Sequence, residues 1–148
     1  QVDLNKSINA IYLDKKLKNL KWITPAFSED PKKEINLLRE ALNEIKNDKS
    51  IKMVMTHYQF FSLLTEENLN IPNRWYTHDN NSYPLKNHKY FEFYRKHFSE
   101  NISKNNVEVI YTIGDPDFED YIAYLKNICF DKINLNTITD IYKIKSCT

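Results

Sequence analysis

Two short clusters hold the residue types that could do chemistry. Thr56, His57 and Tyr58 follow the apolar run Ile51 to Met55, and Asp115, Pro116 and Asp117 follow the run Val107 to Ile113. Asp115 and Asp117 match the D-x-D pattern by which many nucleotide-sugar transferases hold a divalent cation through carboxylates. The same residues also read as a helix start: Asp117 caps it, Glu119 and Asp120 complement its positive end, and Pro116 shapes the turn. Capping explains every one of these residues, so neither a metal nor any other cofactor is expected. Of the four histidines, His57, His78, His88 and His97, none stands in a metal-binding i, i+4 pair, and no H-E-x-x-H occurs. His57 is the best placed for general-base work, although a histidine at a strand end is more often hydrogen-bonded structure. No G-x-S-x-G elbow is present, and neither cysteine carries a local catalytic signature.

The elements that must position these clusters can be read from periodicity. Lys21 to Thr24 reads as a short strand stopped by Pro25, because the residue before proline is held extended. Asp30 and Pro31 form an N-cap followed by proline at the first helical position. Ile35, Leu38, Leu42 and Ile45 then give an amphipathic stripe, and Asn47, Asp48 and Ser50 end the helix. Ile51 to Met55 has the near-continuous apolar character of a strand covered on both faces, with Gln59 to Glu67 a short helix after it. His88 to Ser103 reads as a second long helix with Phe91, Tyr94, Phe98 and Ile102 on one face, and Val107 to Ile113 is the clearest strand. A helix with Phe118, Ile122, Leu125 and Ile128 inward follows, and Ile141 to Ile144 closes the chain as a last strand. The segment Gln1 to Leu20 fits both strand and helix periods. Alternating strands and helices predict one α/β domain over residues 1–148. Its expected form is a three-layer α/β/α sandwich with a mostly parallel sheet of about four or five strands, Rossmann-like in topology. Ligands of such sheets sit outside the carboxyl ends of the strands, where both clusters fall.

Composition narrows the function classes. The 148 residues are 41% hydrophobic and 14% aromatic, with 21 basic residues against 20 acidic ones and a net charge of +1. A chain so balanced lacks the clustered cationic surplus of a phosphate-tracking protein, so no nucleic-acid partner is expected. The single glycine, Gly114, excludes Walker and dinucleotide fingerprints, which need several residues without Cβ atoms to bring backbone amides onto phosphate. No stretch approaches the roughly 18 apolar residues of a membrane helix. The chain begins at Gln1 with no initiator Met and no leader pattern, which suggests a piece of a larger protein.

Asn68 to Asn87 shows no period, a length uncommon in compact domains unless the loop binds something or covers the core. Trp75, Tyr76 and Tyr83 lie on it among Arg74, His78, Asp79 and His88. Aromatic anchors with a polar rim suit a docking surface, and an internally packed lid is the alternative. Cys129 and Cys147 read equally as free apolar thiols or as a disulfide stapling the last strand to the end of the preceding helix.

The succession "LKNLKWITPAFSEDPKKEI", "KMVMTHYQFFSLL", "NRWYTHDNNSYP", "KYFEFYRKHF" and "VEVIYTIG", from about Leu17 to Gly114, resembles the soluble C-terminal region of bacterial polytopic membrane proteins related to dolichyl-phosphate-mannose type glycosyltransferases. The resemblance implies membrane helices ahead of this region, a polyprenyl-phosphate sugar as donor, and a position on the extracytoplasmic (periplasmic) side of the inner membrane. The catalytic acidic residues of such proteins belong to a loop between membrane helices that is absent from this chain, so no catalytic residue is carried over. An extracytoplasmic position would favour the disulfide. The expected function is an accessory domain of a membrane glycosyltransferase that binds acceptor or packs on the membrane-embedded part of the same protein. Expected partners are that membrane part and a glycan or lipid-linked sugar. The rival readings are a free-standing ligand-binding or nucleotide-sugar transferase domain with its site at the strand ends, and a pure interaction module.

The docking reading of the aromatic loop makes a specific prediction. Trp75→Ala should impair the full-length protein and leave this region folded, whereas a Trp75 buried in the core would cost about 3 to 5 kcal/mol on truncation. Thermal melting of the variant separates the two, and a large drop in midpoint removes the docking surface.

Overall fold

The computed structural model describes residues 2–73, 84–114 and 122–147. The N-terminal segment resolves into short pieces: strand β1 (Ile8–Asn9), strand β2 (Lys21–Trp22), and single 3-10 turns at Leu4–Lys6, Ala10–Tyr12, Lys15–Leu17 and Pro25–Phe27. β1 and β2 pair antiparallel as a two-stranded sheet. Asp3, Asn9 and Asp14 each cap a 3-10 turn by accepting the N–H two residues on, which explains why neither a 2.0 nor a 3.6 period runs through this segment.

Helix α1 (Pro31–Asn47) starts where capping chemistry places it, with Asp30 Oδ1 accepting the Lys33 N–H at 3.0 Å. Strand β3 (Lys52–Thr56) leads into the five-residue helix α2 (Phe61–Thr65). Helix α3 (Phe91–Lys104) precedes strand β4 (Val109–Ile113), and a 3-10 turn at Ala123–Leu125 precedes strands β5 (Cys129–Asn136) and β6 (Thr139–Lys145). The four long strands form one sheet in the order β3-β4-β6-β5. Only β3 and β4 run parallel; β4 with β6 and β6 with β5 are antiparallel.

This overturns the expected fold class. The sheet is mixed and mostly antiparallel, and the chain is not a parallel Rossmann-like three-layer sandwich. The reason lies at the C-terminus, where Cys129, expected at a helix end, starts β5 and the unassigned stretch after it completes the strand. Asn136 pairs with Thr139 across a two-residue link, and so short a link can only return the chain antiparallel. β5 escaped a sequence reading because it is an edge strand: Asp131, Lys132, Ile133 and Asn134 are all exposed, so no clean alternation marks it.

Two apolar clusters lie on the two faces of the sheet. Ile35, Leu38, Ala41, Leu42 and Ile45 of α1 pack with Val54, Val109, Tyr111, Ile113 and Ile141. Phe91, Phe98 and Ile102 of α3 pack with Met53, Met55, Ile110 and Tyr142, joined by Tyr124 and Leu125. Neighbouring residues of β3 and β4 divide between the clusters, as the pleat requires. The outer edge of β3 is covered by the segment after α2: the Val54 N–H donates to the Leu69 carbonyl at 2.9 Å, and Asn70 Nδ2 donates to the Lys52 carbonyl at 2.9 Å. Among the described residues, no helix is long and apolar enough to cross a membrane.

Cys129 and Cys147 form a disulfide, with Cα atoms 5.2 Å apart. It joins the first residue of β5 to the chain just past β6, neighbouring strands of one hairpin, and not a helix end to a strand. Cys129 pairs with Lys145 in the ladder, so the bridge closes the open end of the hairpin two residues beyond the last paired position. The bonded residues are 18 apart in sequence, and closing a loop of that size stabilises by about 3 kcal/mol on the chain-entropy model. Denaturant unfolding with and without reductant should show a loss of that order. Two alkylatable thiols on the folded, unreduced protein would contradict the bridge.

Candidate functional site

The parallel pair β3 and β4 ends in register, Thr56 opposite Ile113, and the next residues of each strand meet. Gly114 follows β4 with φ +117°, a conformation that side chains rarely adopt. A Cβ built there would come within 2.6 Å of His57 Nδ1, closer still to His57 Cε1, and within 3.1 Å of Tyr58 Cε2. The lone glycine of the chain is therefore required twice, for its backbone angle and for the imidazole that lies against it. Its N–H donates to the Ile138 carbonyl at 2.9 Å, which anchors the turn to the β5–β6 link. The His57 and Tyr58 rings are 3.9 Å apart, and His57 is exposed while Tyr58 is buried.

Behind this exposed imidazole lies a buried polar node. Glu34 of α1 is fully buried, and three neutral donors converge on its carboxyl group. Tyr58 Oη donates at 2.6 Å, Trp22 Nε1 at 2.8 Å, and Thr24 Oγ1 lies 2.9 Å from both oxygens. The rings of Trp22, Tyr58 and Phe60 cluster beside it with centroids 5.3 to 6.1 Å apart, Trp22 stacked on Tyr58 and edge-to-face with Phe60. The node thus ties β2, the loop after it, helix α1 and the end of β3 to one carboxyl group. Burial, the carboxyl of Glu34 as hydrogen-bond acceptor and its charge all push the Tyr58 phenol well above its usual range. Sequence reasoning missed Glu34, yet a signal existed. Glu34 falls on the apolar stripe with Leu38, Ala41 and Ile45, where a charged residue needs buried partners.

The sequence-predicted site residues separate into three groups. Thr56, His57 and Tyr58 come together with Gly114. Thr56 Oγ1 accepts the Tyr58 N–H at 3.0 Å, which shapes the turn out of β3. His88 lies in the turn that enters α3: its Nδ1 accepts the Tyr90 N–H at 3.3 Å and its carbonyl accepts the Phe91 N–H at 2.9 Å, so it serves the start of that helix. Arg74, Trp75, His78, Asp79, Asp115 and Asp117 lie outside the described residues. The residues flanking the aromatic segment are held on the α3 side of the sheet. Tyr94 Oη donates to Asn73 Oδ1 at 2.8 Å, and Tyr124 Oη donates to the Pro84 carbonyl at 2.5 Å. The Tyr94 and Tyr124 rings are 5.0 Å apart, so the segment leaves and rejoins the described fold at neighbouring points. Among the described residues, no group of three His, Cys, Asp or Glu side chains could hold a metal.

No protein-family model, no curated protein and no solved structure matches this chain.

The Tyr58 phenol keeps its proton in the folded state to higher pH than in the unfolded chain, and burial raises Tyr111 and Tyr142 in the same direction. Their contribution to stability is complete below about pH 10, where an unfolded tyrosine titrates, and is lost as pH rises above that value. Urea unfolding between pH 8 and 12 should show this alkaline decline. Tyr58→Phe should cost about 1 to 3 kcal/mol at neutral pH, because Glu34 loses a donor, and should flatten part of the decline. An unchanged alkaline slope in the variant would mean that Tyr58 does not contribute.

Proposed function

We propose that this chain is an accessory α/β module of an extracytoplasmic membrane glycosyltransferase. It binds the acceptor or packs against the membrane-embedded part of the same protein, and it does not turn over substrate by itself. The sequence resemblance supports the class, and the Cys129–Cys147 bridge supports an oxidising compartment. The observation that carries the non-catalytic reading is the use made of the strand-end polar atoms. The Tyr58 hydroxyl is spent on buried Glu34, Thr56 Oγ1 on the Tyr58 N–H, and the imidazole of His57 is seated over Gly114 against a buried ring. A catalytic constellation directs several such groups together at a reacting atom, whereas of these three only His57 is exposed. These support the turn between β3 and α2.

The aromatic segment is proposed as the contact surface on its composition, Trp75, Tyr76 and Tyr83 among charged and polar residues, and its described flanks bond to Tyr94 of α3 and to Tyr124. The test is turnover by the isolated chain. Incubated with nucleotide sugars and with polyprenyl-phosphate sugars, with and without manganese, it should release no sugar above the protein-free rate. Turnover that is lost in Asp115→Asn would make the chain a transferase in its own right and overturn the proposal.

A further inference from the structure

A concavity lies on the exposed side of α1, where the 3-10 turn Ala10–Tyr12 and strand β1 flank the helix. It encloses about 290 Å³ and is lined by Ile8, Tyr12, Lys32, Ile35, Asn36 and Arg39. That volume is at the small end of ligand sites and fits one compact molecule. Ile8 and Ile35 supply apolar surface, partly and fully buried respectively. Tyr12 supplies an aromatic wall that is 63% exposed, although a phenol ring of that area is ordinarily covered. Lys32, Asn36 and Arg39 stand at i, i+4 and i+7 on α1, so two cations and an amide line one side of the same groove. Among the described residues that line it there is no carboxylate; Asp30 and Glu40 border a neighbouring depression that shares Lys32 and Asn36 with this groove, so Arg39 is the cation that faces this groove alone. Arg39 Nη2 donates to Asn36 Oδ1 at 3.1 Å, which orients the guanidinium and leaves the Asn36 amide N–H groups to face a ligand as donors.

We infer that this groove is a binding site for an anionic monosaccharide unit, with the sugar ring on Tyr12 and its carboxylate or phosphate on Arg39 and Lys32. A planar aromatic face takes the apolar face of a sugar ring, the guanidinium fork takes two oxygens of one anionic group, and Asn36 donates to a hydroxyl. A purely apolar ligand would leave two cations facing it, and a nucleic acid would need a longer cationic track than two residues. The groove is built from residues other than those of the strand-end site, so the inference goes beyond the accessory-domain reading and does not depend on it.

The experiment is titration of the protein, disulfide intact, with glucuronate, glucose 6-phosphate and neutral glucose, followed by amide chemical shifts. Either anionic sugar should bind in the millimolar range and shift Tyr12, Asn36 and Arg39, while glucose should bind about tenfold more weakly or not at all. The ratio of the two anions assigns the head group. Arg39→Ala and Tyr12→Ala, both at exposed positions, should each weaken binding about tenfold, and Arg39→Lys should fall between wild type and Arg39→Ala because it keeps charge and loses the fork. No binding of either anion, equal binding of glucose, or shifts that persist unchanged in Arg39→Ala would each overturn the site. Failure here leaves the donor-turnover test untouched, because that assay uses a different ligand and different residues.

Discussion

A single carboxyl group inside the protein organises what lies around it. Glu34 reaches no water, and burying a carboxyl without donors costs several kcal/mol, so the chain must bring donors to it from wherever they lie. They come from Trp22 and Thr24 in the stretch around β2 and from Tyr58 beyond β3, two segments distant in the chain. That requirement fixes the otherwise irregular N-terminal segment against α1, and it fixes how β3 leaves the sheet. Leaving any one donor out would strand polar atoms in an apolar cluster made of Leu13, Leu17, Leu38 and Phe61. A polar node in a core specifies one arrangement of its donors, whereas apolar contacts alone tolerate rearrangement.

The exposed chemistry at the end of β3 is a consequence of the same node. Because the Tyr58 hydroxyl points inward to Glu34, its neighbour His57 projects to the surface, and the ring needs space that only a glycine at position 114 leaves. Buried packing and surface presentation are thus coupled through two adjacent residues. A similar economy holds at the amino end of the sheet. Tyr111 Oη donates to Asp48 Oδ2 at 2.6 Å and buried Lys52 pairs with Glu67 at 2.6 Å, so the connection from α1 into β3 is tied to the central strand β4 and the segment after α2 to the edge strand β3. Burial pushes Asp48 upward, yet the hydrogen bonds from Tyr111 and Ser50 outweigh it and hold the carboxyl below its usual value.

The hairpin of β5 and β6 completes the sheet on the side away from β3. Its outer strand exposes backbone that another chain could pair with, and the strand blunts that hazard with Asp131 and Lys132, with a register irregularity between Asn134 and Asn136, and with the disulfide at its start. Lys132 reaches inward to Asp140 at 2.9 Å and Asn134 Nδ2 donates to the same carboxylate at 2.9 Å. Polar residues on an edge strand therefore hold the hairpin together as well as guarding it.

The sequence by itself determined the local elements whose causes are local. Asp30 and Pro31 start a helix because capping and a fixed φ act within one turn, and the apolar runs at 51–55 and 107–113 read as strands because each is a short, near-continuous apolar stretch. It also excluded the Walker and dinucleotide fingerprints, since one glycine cannot build either. Only the tertiary structure decided strand direction, because a parallel or antiparallel partner looks alike in a buried run, and the edge strand β5 alternates apolar and polar residues only over Ile133 to Asn136. It likewise decided that Glu34 is core, that His57 lies over Gly114, and that Cys129 and Cys147 close a hairpin. Each of these joins residues distant in the chain whose meeting depends on the whole packing, and no spacing of residue types along one segment can express that.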